Sequence, residues 1–257
     1  MIAHNRITAI AVILSMTSVF ANAQDFVYQD PEFGIAGRIS VAFDQKIASG
    51  LHVALEEELR SMDGFTELDR SLTSLHISYK TCPYFKVDAG YTFMKVFGNP
   101  DDLRHRANLD FIGVYKFRQW KLSLRERFQT TTKTKEINTY QQPRTALALR
   151  SRLKASYNCR TMPLKPYASF EIRNTLNSVD FACLPVVSYN DVYINRYRGS
   201  IGTEWVLDSR NLLDFYILLD YNYNIDIDAT KKGKLKAVSS IPYYCTSFGV
   251  AYIFSRK

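Results

Sequence analysis

A period of two runs through this chain from residue 35 to its end, and few folds can use it at the lengths seen. Successive side chains of a strand point to opposite faces, so apolar residues at every second position mark a strand with one apolar and one polar face. Ile35, Gly37, Ile39, Val41 and Phe43 share a face against Arg38, Ser40, Asp44 and Lys46. Leu75, Ile77 and Tyr79 oppose Ser74, His76, Ser78 and Lys80, and Trp120, Leu122, Leu124 and Phe128 oppose Lys121, Ser123, Arg125 and Arg127. Near the end, Phe215, Ile217, Leu219 and Tyr221 oppose Asp214, Tyr216, Asp220 and Asn222. Strands of globular proteins have about five or six residues. Tilted strands that cross a bilayer need about 9–11, and roughly eleven segments here are of that kind. The expected fold is therefore all-β, an antiparallel up-and-down transmembrane β-barrel of 10–12 strands. Twelve is favoured because bacterial single-chain barrels have even strand numbers. The missing strand is expected in Asp25 to Phe33 or as a hairpin arm within residues 181–190.

Connector lengths point the same way. Residues 49–50, 81–84, 118–119, 158–163 and 208–211 form short connectors, and residues 62–67, 97–103, 131–142, 177–191 and 226–241 form longer ones. Outer-membrane barrels alternate short periplasmic turns with long extracellular loops.

Residues 1–23 read as a secretory signal peptide, with basic Arg6, an apolar run from Ile7 to Phe20, and Ala21-Asn22-Ala23 before a cleavage expected ahead of Gln24. That apolar run is shorter than the about 20 residues a spanning helix needs, and no later segment approaches that length. Residues 24–257 are expected to form one outer-membrane barrel domain, and the protein is expected in the outer membrane of a Gram-negative cell.

The net charge is +8, but the basic residues are interleaved singly along the alternation. Such a pattern in an exported protein does not point to nucleic acid. The polar face carries Arg, Lys, Glu or Asp strand after strand, which fits a lumen laced with ion pairs and filled by side chains. The aromatic content of 14%, with 17 Tyr and 16 Phe, suits girdles at lipid interfaces. Glu57 and Glu126 break the scheme, since both fall on the apolar face. Either a bulge re-aims the two strands there or both acids lie near the outer interface.

Candidate chemistry is sparse. No pair of histidines has metal-ligand spacing, and the cysteines stand far apart. His76 and Ser78, two residues apart, share a face as a nucleophile and its base must. That face is the polar one, whereas outer-membrane lipid hydrolases turn such a pair to the lipid, and Tyr79 stands where they place Asn. Glu58/Arg60 and Glu171/Arg173 read as lumen ion pairs. Four cysteines in an exported chain favour disulfides. Turn parity allows only Cys82–Cys159 or Cys183–Cys245, the latter preferred because a long loop can move to meet its partner.

Phe33-Gly34-Ile35, Glu56-Glu57-Glu58-Leu59-Arg60, Leu124-Arg125-Glu126-Arg127-Phe128-Gln129 and Leu149-Arg150-Ser151-Arg152-Leu153 resemble segments of the family called domain of unknown function 2490. The resemblance runs from about Phe33 to the C-terminus and departs at Ala36, where the family has Trp. It implies a bacterial outer-membrane β-barrel without an established activity, and it carries over no catalytic residues.

The functional expectation is an outer-membrane barrel with a structural or transport-related role, not an enzyme. No catalytic, cofactor-binding or metal-binding residue is assigned and no cofactor is expected. The expected partners are outer-membrane lipid and, during biogenesis, the barrel-assembly machinery; the solute stays open. Two alternatives remain: a lipid-modifying enzyme of the deacylase or phospholipase kind using His76 and Ser78, and a soluble periplasmic β-protein that binds a hydrophobic ligand.

Overall fold

The computed structural model describes residues 26–28, 30–99, 101–177 and 193–256. The expected signal peptide and the possible hairpin arm at 181–190 lie outside them. Twelve strands follow one another: β1 (Phe26–Tyr28), β2 (Glu32–Ala48), β3 (Leu51–Met62), β4 (Glu67–Cys82), β5 (Phe85–Val96), β6 (Leu103–Phe117), β7 (Trp120–Lys133), β8 (Thr145–Tyr157), β9 (Leu164–Thr175), β10 (Tyr193–Val206), β11 (Asn211–Ala229) and β12 (Leu235–Arg256). From β2 to β12 each strand pairs antiparallel with the next, and β12 then pairs with β2 to close the barrel.

Closure fixes the strand number within the expected 10–12, at one fewer than the favoured twelve. Among the described residues the wall has eleven strands, β2 to β12. An odd count makes the first and last strands run the same way, so they meet in parallel, from Tyr243↔Glu32 to Arg256↔Gln45. A short additional strand does form between Asp25 and Phe33, but it adds no wall. β1 pairs in parallel with β12 at Val238–Ser240, on the same edge that β2 takes further along, so β1 and β2 are one line of chain interrupted around Pro31.

The apolar faces point outward. Leu75, Ile77, Phe215, Ile217, Leu219 and Val250 are all exposed, as the alternation requires for a wall whose solvent is lipid. Aromatic rings gather at the two ends of this band. Toward the longer loops, Phe33, Tyr244, Tyr221, Tyr197 and Phe170 lie ring to ring across β2, β12, β11, β10 and β9, at successive centroid distances of 5.3, 4.9, 6.1 and 6.4 Å. Toward the short turns, Trp120 meets Tyr157 at 5.1 Å and Phe43 meets Phe254 at 5.7 Å. Amphipathic rings favour the two interfaces of a bilayer, so these girdles bracket its core.

Connector alternation is less regular than the pattern implied. Residues 226–241 are mostly strand: β11 and β12 continue as a hairpin to a turn at 230–234, where Gly233 has φ 81°. Residues 63–66 form a tight turn, a short 3-10 segment (Asp63–Phe65) in which Gly64 has φ 67°. Among the short turns, Ser49-Gly50 needs φ 76° at Gly50, a left-handed value that glycine adopts without steric cost.

The acids that broke the scheme keep their outward positions. The register shifts beside β3 fall between Lys46 and Ala48 of β2 and between Arg60 and Ser61 of β3, so Glu57 sits in unbroken register between Val41 and Thr73. Glu126 likewise lies between Phe111 and Ser151 with no shift on either side. No bulge re-aims them.

Candidate functional site: a basic lumen

The polar faces converge inside the barrel on a cavity of about 370 Å³, lined by eight arginines, Lys154 and the carboxylates of Glu56, Glu58, Glu171 and Asp214. Two chains of ion pairs organise its wall. In the first, Asp110 on β6 takes both forks of Arg127 at 2.7 Å and lies 3.9 Å from Arg125. Arg125 reaches across β8 to Glu171 at 2.7 Å, and Glu171 also holds Arg150 at 2.5 Å. In the second, Asp220 takes both forks of Arg198 at 2.6 and 3.0 Å and lies 3.5 Å from Arg38. Arg38 is 4.0 Å from Glu58, which holds Arg60 at 2.5 Å. Each chain therefore runs arginine, acid, arginine, acid, arginine, and each ends one positive charge in excess.

Small residues make the second chain possible. Arg38 must span β12 to reach β11, and the inward residues of β12 at that height are Ser247 and Gly249. A Cβ on Gly249 would run into the Tyr216 ring, which lies over it. Tyr167 covers Gly202 in the same way, donates its hydroxyl to both Asp214 oxygens at 3.0 Å, and carries the Lys154 ammonium 3.6 Å above its ring. Lys154 in turn donates to Glu204 at 2.9 Å.

The register puts like charges side by side. Arg127 pairs directly with Arg150, Arg150 with Arg173, and Arg173 with Arg196, so four neighbouring strands present one continuous row of guanidinium groups to the lumen. One rung nearer the short turns, Arg125 faces Arg152. At the short-turn mouth Lys80 faces Lys86 and Lys116 faces Lys121. Like charges directly opposite destabilise a sheet. Among the described residues, no carboxylate lies within ion-pair distance of Arg106, Arg152 or Arg196. Arg173, expected to pair with Glu171, instead stands opposite Arg150 and Arg196, and Glu171 serves Arg125 and Arg150. Glu58 and Arg60 pair as expected.

His76 and Ser78 both face the lumen. His76 Nδ1 lies 3.0 Å from Asp88 Oδ1, and Ser78 is the direct cross-strand neighbour of Asp88. No hydrogen bond joins His76 to Ser78 among the described residues, and neither reaches the outer wall where a lipid would lie. The arginine row was legible only in part: alternation marks each arginine as inward, but their alignment depends on register, which turn lengths and a β10 irregularity at Ile194/Arg196 decide.

Cys82, Cys159 and Cys245 are free thiols. Cys245, one half of the preferred Cys183–Cys245 bridge, sits in the wall opposite Asp220 and Gly34 with Ser247 Oγ 3.7 Å away. Cys82 and Cys159 close different short turns with four strands between them, and do not meet. Cys183 lies outside the described residues.

The family model described as protein of unknown function (DUF2490) matches residues 39–231. No curated protein matches the chain in sequence. Among solved structures, the NanC porin in a rhombohedral crystal form is similar over 86% of this chain and 98% of its own, with 10% identity and a TM-score of 0.46. The outer-membrane expressed OmpT of Vibrio cholerae is similar over 77% of this chain and 62% of its own, with 12% identity and a TM-score of 0.38. At that level of likeness, the chemistry of the lumen is a matter for this chain's own residues.

Proposed function

Because this chain belongs to the DUF2490 family, whose function is unknown, we propose its role from the lumen itself: an outer-membrane barrel that binds and passes small anionic solutes. The row Arg127, Arg150, Arg173 and Arg196 carries this reading. Four like charges in direct register cost stability, and beyond the ion pairs of Arg127 with Asp110 and of Arg150 with Glu171 a purely structural wall gains nothing from lining them up. A wall that attracts anions does, because a cavity with low-dielectric sides focuses the field of its charges on what enters. The lysine pairs at the short-turn mouth extend the same field to the opening. Arginine suits the narrow part, where its planar fork grips carboxylate or phosphate; lysine, a hydrated point charge, suits the mouth.

Outer-membrane residence rests on the apolar band, its two aromatic girdles and the expected signal peptide. A role as a lipid hydrolase is disfavoured by the inward positions of His76 and Ser78, and a soluble binder by the exposed apolar band.

Refolded protein in planar bilayers under a potassium chloride gradient tests the proposal. The reversal potential should show chloride preferred over potassium. Cation preference, or a barrel that neither conducts nor takes up anions, would sink it.

A further inference from the structure

Charge alone attracts any anion; the geometry around Arg106 selects among them. Arg106 projects inward from β6 two residues before Asn108 and four before Asp110, and it lines the same cavity as Arg127 and Arg150. Its Nε donates to Thr131 Oγ1 at 3.4 Å, which orients the guanidinium. Its two terminal nitrogens have no protein acceptor among the described residues, and they are not sealed from the cavity. The charges acting most strongly on it are those of Arg150, Arg60, Arg173 and Arg127, all positive.

Three carboxylates of this wall are already engaged by arginine. Asp110 is shared by Arg127 and Arg125, Glu171 by Arg125 and Arg150, and Glu58 by Arg60 and Arg38. Gln129 holds Arg150 through its Oε1 at 3.1 Å and turns its Nε2 to Thr131 at 3.3 Å, so it braces the same corner. The wall therefore presents an open fork set among cations: Asp110, Glu171 and Glu58 are each shared by two guanidinium groups, and the other acids that line the cavity, Glu56 and Asp214, make no ion pair with Arg106 among the described residues. A monovalent ion can offset only one such charge. A compact oxyanion with two charges and several oxygens can accept from the Arg106 fork and still face the neighbouring arginines, in the short charge-assisted bonds that guanidinium forms best.

Resting on the anion reading above, we propose that the lumen holds a discrete site for a compact divalent oxyanion of the phosphate or phosphomonoester class, built around the unpartnered fork of Arg106 beside Arg127 and Arg150. Bound anion stabilises the folded barrel by mass action, so the site is measurable whether or not the lumen conducts.

Thermal unfolding of the full barrel in detergent, followed with inorganic phosphate, with glycerol phosphate or with chloride at matched ionic strength, is the test. Phosphate should raise the melting temperature saturably above chloride, and the glycerol phosphate arm tells a phosphomonoester site from one sized for the free ion. Arg106→Gln should weaken the half-saturating concentration by about tenfold, the scale of one charge-assisted fork lost. Heat-modifiable migration checks that the variant is folded. If it is not, Arg106→Lys, which keeps the charge and removes the fork, takes its place with the same expectation. Equal shifts with phosphate and chloride, or a phosphate shift that a folded Arg106 variant leaves unchanged, overturn the site. Neither result touches the anion selectivity read in bilayers, which stands or falls separately.

Discussion

Glu126 accepts a hydrogen bond of 2.6 Å from the Ser151 hydroxyl on the outward face of the barrel, between Leu124 and Phe128 along its own strand. Glu57 is held in the same way by Thr73 at 2.5 Å. An acid facing lipid is costly, and a single hydroxyl offsets part of that cost by satisfying one of its oxygens. Ser151→Ala should therefore destabilise the barrel by about 1–3 kcal/mol, because it leaves a poorly solvated acceptor unpaired. Replacing both partners, as in Glu126→Leu with Ser151→Ala, should be neutral or stabilising. Urea unfolding in lipid vesicles measures both; a destabilised double variant would mean that Glu126 meets something more than Ser151.

Orientation has its own test at Ile217, which is outward on β11 with Phe215 and Leu219 to either side along the same face. Arginine there should cost ~2–4 kcal/mol of folding in a bilayer if the position lies at the midplane. An Ile217→Arg barrel as stable as the parent would place this face toward water.

Asp110 is the hinge of the first ion-pair chain and is only 2% exposed. Asp110→Ala leaves Arg127 without its fork partner in a wall already rich in arginine. The expected loss is about 3–5 kcal/mol, the scale for breaking one side of a buried pair. Equilibrium unfolding reads it, and high salt should recover part of the loss. A variant within experimental error of the parent would show that the two chains do not bear on stability.

Cys245 gives a chemical handle on the lumen. With Cys82, Cys159 and Cys183 replaced by serine, its thiol should react faster with an anionic methanethiosulfonate than with a cationic one, since the surrounding field concentrates anions. The preference should shrink as salt rises. Equal rates at low salt would contradict the charge assigned to the cavity.

How much of this was legible in sequence follows from where the alternation is sharp. Between Leu213 and Leu219 one face is apolar and the other polar, and the period names both the strand and its outward residues. Past the lipid band both faces can turn polar, as in Thr130-Thr131-Thr132-Lys133, so the pattern fades although the strand continues to Lys133. Residues 226–241 differ: Ile225 and Ile227 still alternate with Asp226 and Asp228, and β11 runs on to Ala229 before the polar Lys231-Lys232-Gly233-Lys234 turn. Closure in parallel was beyond reach for a different reason: parity of strand number follows from pairing, and Phe26–Tyr28 carries no signal for whether it forms a new wall or prolongs an old one. The arginine row depends on register in the same way. Each residue's face was readable, and its neighbours were not.

The turn between β10 and β11 offers a pH test outside the lipid band. Asp208 accepts from the backbone amides of Arg210 at 2.7 Å and Asn211 at 2.9 Å, and from the Asn211 side chain at 2.6 Å. These bonds favour the ionised form, the Arg210 amide foremost, and hold the carboxyl below its ordinary 3.8. A group whose folded value is depressed contributes stability above its unfolded value and loses it as pH falls through the folded one. The stability difference between parent and Asp208→Ala should thus be constant from neutral pH down to the ordinary carboxylate range and vanish in stronger acid. Its size stays small because the turn is exposed. Denaturation midpoints of the two proteins across that range decide it, and a difference that persists in full in strong acid would assign the turn's stability to packing rather than to the ionised carboxylate.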